Sequence, residues 1–153
     1  MTQKALPKRI LKDQPGFTRL NKENQAENSS QSEKSQSNLA KHGKKGEDLA
    51  VQYLEQAGKQ IIARNFRSNY GEIDIITLDG DTLAFIEVKT WSVYSIENLQ
   101  YSINSQKQRR IIETAKYFLS INRKYNEKAV SFDVIFVKND EVTYLAGAFM
   151  ERV

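Results

Sequence analysis

The stretch EIDIITLDGDTLAFIEVKT, residues 72–90, decides the fold. It reads as two apolar runs, Glu72 to Leu78 and Thr82 to Lys89, on either side of Asp79-Gly80. An Asp-Gly step between two such runs signals a tight hairpin. An antiparallel pair of strands is therefore expected. Each strand carries charge where an apolar residue would be ordinary. Asp74 lies within Ile73-Asp-Ile-Ile76. Glu87 and Lys89 share one face of Phe85-Ile-Glu-Val-Lys89, because side chains alternate along a strand. If the hairpin turns at Asp79-Gly80, Asp74 and Glu87 come near each other across the pair.

Two neighbouring carboxylates repel unless positive charge stands between them. A divalent cation supplies that charge, and so does Lys89. The chain has no cysteine and a single histidine, His42, so thiolate sites and multi-histidine sites are excluded. Any metal must sit on oxygen ligands, which favours Mg²⁺, Mn²⁺ or Ca²⁺. Asp, Glu and a backbone carbonyl form such a hard site. A cation held there can polarise a phosphoryl oxygen and lower the pKa of a water. A lysine beside it can orient that water. The alternative is a cross-strand ion pair of Asp74 or Glu87 with Lys89 on a half-solvated face.

Outward from the hairpin, residues 44–57 read as a helix, with Leu49, Ala50, Tyr53, Leu54 and Ala57 at helical spacing. Gly58 stands where a C-terminal cap belongs. Lys59 to Phe66 reads as a strand and residues 67–71 as a turn. Residues 90–103 read as a long irregular segment and 104–122 as a second helix. Val130 to Val137 reads as a central strand, Asn139-Asp140 as a turn, and Val142 to Leu145 as a short last strand. The order is α-β-β-β-α-β-β. A helix between the third and fourth strands implies a crossover to a parallel neighbour. The expected class is α/β, an α+β mixed sheet with helices packed on it.

Residues 1–38 differ in kind. Only 8 of them are apolar, both prolines (Pro7 and Pro15) lie there, and 21–38 is a polar low-complexity tract. Such a stretch buries too little apolar surface to offset chain entropy. It is expected as a disordered basic and polar arm, and 39–153 as one folded domain. Of the net +4, the arm carries +3 (7 basic, 4 acidic) and the domain +1 (16 basic, 15 acidic). The arm is a solvated tail or a basic tether for nucleic acid. No apolar run approaches the roughly 18 residues that span a bilayer. Met1 to Gln14 has no apolar segment of a secretory signal. No membrane association and a cytoplasmic location are expected.

Glu47 continues the apolar face of the first helix, or else serves as a first-turn acid favoured by the helix dipole. Lys107 continues the stripe of Ile111, Ala115 and Phe118, or else snorkels at its edge. The clusters Lys41, Lys44, Lys45 and Lys107, Arg109, Arg110 are candidate phosphate contacts, or ordinary solvated helix faces. Trp91, Tyr94 and Tyr101 are candidates for stacking on unpaired bases, or for packing on the domain. His42 is a candidate general base or an incidental residue. Asp133, on a central strand, either joins the site or is hydrogen-bonded structure.

Gly43-Lys-Lys-Gly-Glu47, Arg64-Asn-Phe-Arg67, Tyr70-Gly-Glu-Ile-Asp74, Phe85-Ile-Glu-Val-Lys-Thr90 and Phe132-Asp-Val134 occur in that order. Together they resemble the YraN-like family of bacterial predicted endonucleases. That family belongs to the restriction-endonuclease-like, PD-(D/E)xK superfamily, which includes archaeal-type Holliday junction resolvases. The resemblance covers about residues 40–150. It implies a restriction-endonuclease-like core, Asp74 and Glu87 as ligands of Mg²⁺ or Mn²⁺, and Lys89 as the catalytic lysine. Glu47 matches the first-helix acid of resolvase-like members, and Lys107 a second-helix lysine position. Trp91 and Ser131 stand where the family commonly has arginines, a loss of charge that bears on substrate binding.

Two functions from different classes follow. One is a metal-dependent endonuclease acting on DNA, with branched or single-stranded DNA as candidate substrates. In it, Asp74, Glu87 and the Val88 carbonyl are candidate metal ligands, Asp74, Glu87, Lys89 and Glu47 form the catalytic set, and Lys44, Lys45, Lys107 and Arg110 contact nucleic acid. The other is an adaptor that keeps the nuclease scaffold without turnover. A homodimer is compatible with the first, since two sites process two strands.

Overall fold

The computed structural model describes residue 41 and residues 43–90 and 103–151. Residues 1–38, His42 and the segment with Trp91, Tyr94 and Tyr101 lie outside the described residues. The first helix, α1, is helical through 43–56. It ends as its sequence predicts, with Gly58 at φ +78° and the Lys59 N–H on the Leu54 carbonyl at 2.9 Å. Five strands follow: β1 (Gln60–Arg67), β2 (Glu72–Asp79), β3 (Thr82–Thr90), β4 (Ala129–Lys138) and β5 (Glu141–Phe149). Helix α2 (Ser105–Ile121) and a 3₁₀ turn (Arg123–Tyr125) connect β3 to β4. The spatial order equals the chain order. All neighbours are antiparallel except β3 and β4, which are parallel, as a helical connection requires.

Each helix covers one face of the sheet. Ala50 and Leu54 of α1 pack with Ile75, Ala84, Ile86, Ile135 and Val137. Ile111, Ala115 and Phe118 of α2 pack with Ile73, Ile76, Leu83, Phe85, Val134 and Phe136. On that second face the rings of Phe66, Phe118, Phe85, Phe132 and Phe149 touch in succession, their centroids 5.1–5.8 Å apart. This aromatic row ties β1 to β5 through α2, at spacings where ring pairs add to plain burial. Asn104 caps α2 by accepting from the Lys107 N–H at 2.9 Å, and Asn122 closes it on the Phe118 carbonyl.

Two details differ from the sequence reading. The hairpin loop is Gly80-Asp81, flanked by Asp79 opposite Thr82. Glycine takes the first loop position at φ +57°, where it alone of the two needs positive φ. A loop at Asp79-Gly80 would set Asp74 opposite Phe85; the observed one carries the register to Asp74 opposite Glu87. The second difference is β5, which runs to Phe149 instead of stopping at Leu145. Its extension needs a bulge. Val134 pairs with Leu145 but Phe132 with Phe149, so β5 sets three residues opposite Asp133, two more than a regular ladder. Gly147, at φ +60°, turns its N–H onto the Asp133 carboxylate at 2.9 Å. The hydroxyls of Ser131 and Tyr144 donate to the same carboxylate. Burial and that bond hold the Tyr144 phenol above its ordinary pKa. Asp133 is thus hydrogen-bonded structure, and Ser131 belongs to its network. As the last strand in order, β5 forms one edge of the sheet and carries no charged side chain between Glu141 and Glu151.

Candidate metal and phosphodiester site

The hairpin ladder does not run its full length. It pairs Asp79 with Thr82 through Ile75 with Ile86, then stops. The next pair in register is Asp74 and Glu87. Beyond that point β2 stays with β1 as far as Glu72, and β3 stays with β4 as far as Thr90. The sheet therefore opens between its second and third strands, and the two acids flank the opening. Asp74 closes the gap with its side chain: Oδ2 accepts the Val88 N–H at 2.7 Å. In an extended strand a residue's N–H and C=O lie on the same edge. The Val88 carbonyl is therefore on the edge that faces Asp74.

Glu87 is 4% exposed. Its burial is tolerable because two ammonium groups reach it. Lys89 Nζ lies 2.9 Å from Oε1, and Lys107 Nζ, from the first turn of α2, lies 3.0 Å from Oε2. The second contact is an ion pair without an aligned hydrogen bond. The Asp74 carboxyl is pushed up to about 7. Burial is the main cause, and the Glu87 and Glu47 charges add to it; the Val88 N–H and the Lys107 charge pull it partly back. A carboxyl held that far above its usual range marks unrelieved negative charge, a frequent property of functional sites.

Glu47 reaches this neighbourhood from α1, half-buried, with Oε2 accepting from Asn65 Nδ2 at 3.1 Å. Arg64 donates to Asp48 Oδ1 at 2.6 Å. Two successive residues of β1 thus fix two successive acids of α1. Asn65 takes φ +50°, a left-handed conformation that asparagine tolerates. The sequence reading did not single out Asn65; its signal was the Arg64-Asn-Phe-Arg67 motif. Gly46 sets the depth of α1. A Cβ there would lie 2.0 Å from Thr90 Oγ1 and 3.3 Å from Thr90 Cβ. Any larger residue at this position has to displace the Thr90 side chain for the helix to start this close to the end of β3.

The structure thus brings Asp74, Glu87, Lys89, Lys107 and Glu47 together. Among the described residues it does not join the other basic candidates to them. Lys45 pairs with Asp140 at 2.7 Å, Lys44 is exposed, and the exposed Arg110 lies over Gly71. Among the described residues no three acids or histidines form a ready-made cage for a cation. The donor set is two carboxylates, Asp74 and Glu87. That suits Mg²⁺, which commonly takes one or two carboxylates and keeps several waters. Among the described residues no helix is long and apolar enough to cross a membrane.

The model of the uncharacterised protein family UPF0102 matches residues 46–137. A UPF0102 protein of Persephonella marina is 41% identical over 107 residues, 70% of this chain and 91% of the relative. One of Treponema denticola is 41% identical over 121 residues, 70% of this chain and 93% of the relative. One of Clostridium perfringens is 42% identical over 110 residues, 68% and 89% of the two chains. The matched span runs from α1 to β4 and contains all five residues of the cluster, so the chain belongs to the UPF0102 family, the YraN-like family its motifs resemble.

Proposed function

We propose that the protein is a metal-dependent endonuclease that hydrolyses phosphodiester bonds in DNA. The observation that carries this reading is the opening of the sheet at Asp74 and Glu87, with Lys89 on the same buried carboxylate. Asp74 and Glu87 hold Mg²⁺ or Mn²⁺, and the Val88 carbonyl is a further ligand. The cation supplies Lewis-acid polarisation of the phosphoryl group and makes a water more acidic. Lys89, on the other oxygen of Glu87, positions the attacking water and balances charge that develops on the phosphoryl oxygens. Glu47, steered by Asn65, holds a proton acceptor at the α1 side of the site. Lys44, Lys45 and Arg110, with Lys107, supply phosphate contacts that place the strand without reading its sequence. With the domain near neutrality, long-range attraction is small, and branched or single-stranded DNA are the candidate substrates beside a plain duplex.

The test is incubation of purified protein with Mg²⁺ or Mn²⁺ and a panel of duplex, single-stranded, flapped and four-way-junction DNA. Cutting is expected for wild type and is lost by at least about 100-fold in Glu87→Ala and Lys89→Ala, in line with removal of an electrostatic catalytic group. Both variants should keep wild-type circular dichroism. Equal cutting by wild type and variants would refute the assignment.

One observation favours a second reading. Both oxygens of Glu87 are already neutralised by lysines, so the cluster is electrostatically satisfied at that residue without a cation. A nuclease scaffold kept as a binding module would look the same. Such a protein would bind DNA or a protein partner with no response to Mg²⁺.

A further inference from the structure

We infer that Lys107 is a resident counter-ion: its ammonium occupies the place of the divalent cation on Glu87 and must leave Glu87 for the metal to bind. The inference rests on the metal reading above and adds a competitor to it. Two observations carry it. Lys107 Nζ faces Glu87 Oε2 at 3.0 Å with no aligned hydrogen bond, so the contact is charge alone. Lys89 holds the other oxygen from two residues along the same strand, whereas Lys107 arrives from a different element, the Asn104-capped first turn of α2.

A divalent ion brings twice the charge of the ammonium it replaces, so the exchange leaves the neighbouring Asp74 and Glu87 carboxylates better compensated. It is also paid for by breaking a buried ion pair, which weakens metal binding. The released amine stands at the mouth of the site, on a side chain one-third exposed, where an incoming phosphate supplies its next partner. Metal entry and phosphate capture are coupled through this one side chain.

Calorimetric titration of the full chain with Mn²⁺ at about pH 8, without DNA, tests the competition. Lys107→Met should bind Mn²⁺ at least about tenfold tighter than wild type, the scale of one lost charge–charge contact. Lys107→Arg, which keeps the charge, should stay near wild type, and Glu87→Gln should lose the site. In wild type, the Lys107 amine should be shielded from an acylating reagent without metal and labelled faster with Mn²⁺, read by mass spectrometry. If wild type binds Mn²⁺ while Lys107→Met binds equally or more weakly, or if labelling ignores Mn²⁺, the competition is refuted and the metal site stands. If neither protein binds Mn²⁺ at Glu87, the metal reading falls and takes this inference with it.

Discussion

Asp74 is a titrating residue whose proton should be visible in the stability of the whole chain. Its carboxyl is raised from 3.8 to about 7. A raised folded-state pKa means that the native state binds the proton more tightly than the unfolded chain does. The stabilisation is then complete below about pH 4 and is lost as pH rises through 7. Metal-free protein should melt at a lower temperature at pH 8 than at pH 5.5. Asp74→Asn should flatten that difference, and Mg²⁺ should raise the melting temperature of wild type more at pH 8 than at pH 5.5, since binding to the native state stabilises it. The Val88 N–H, which donates to Asp74 at 2.7 Å, is a built-in reporter. Its amide proton shift should move with a midpoint near 7 and again on metal addition. Asp133 is the contrasting acid. It is 1% exposed and answers three donors, so Asp133→Ala should cost ~3 kcal/mol of unfolding free energy, seen as a lower urea midpoint. Tyr144→Phe, which removes one donor, should cost ~1 kcal/mol.

At the scale of elements, α1 approaches β3 closely beside the site, with Gly46 against Thr90. Helix propensity alone says that Gly46→Ala stabilises the chain by about 1 kcal/mol. The 2.0 Å approach of the added Cβ to Thr90 Oγ1 reverses the sign, and a loss of ~2 kcal/mol is expected. In a Thr90→Ala background the loss should shrink, because only the Cβ at 3.3 Å remains to give way. Chemical denaturation of the four proteins of this cycle is the measurement. Elements with local signals were legible in the sequence. The strands around Asp74 and Glu87, the helix stripes, and the cap at Gly58 depend on neighbours a few residues away. The register at Gly80-Asp81 was not fixed by the sequence, since both Asp79-Gly80 and Gly80-Asp81 put glycine in the loop. The length of β5 was hidden because it depends on a bond from Gly147 to Asp133, across the ladder. Asp74, Glu87 and Lys89 were legible as a group because alternation on a strand fixes their faces. The hold of Lys107 on Glu87 and of Asn65 on Glu47 depends on how helices dock, which no local pattern encodes.

At the largest scale, the described residues form a sheet with one helix on each face and charged side chains managed unequally at its two edges. β1 carries Arg64 and Arg67, both engaged with acids. β5, at the opposite edge, has no charge from Val142 to Met150, with Leu145 41% and Met150 80% exposed. Charged side chains on an edge are what ordinarily keep one sheet from extending into another. Here that safeguard is missing along nine consecutive residues. The practical consequence is colloidal: stocks concentrated or warmed toward unfolding should lose material by strand addition along β5. Leu145→Lys should raise the concentration reached before light scattering appears, while cleavage and the Asp74-linked pH response stay as in wild type.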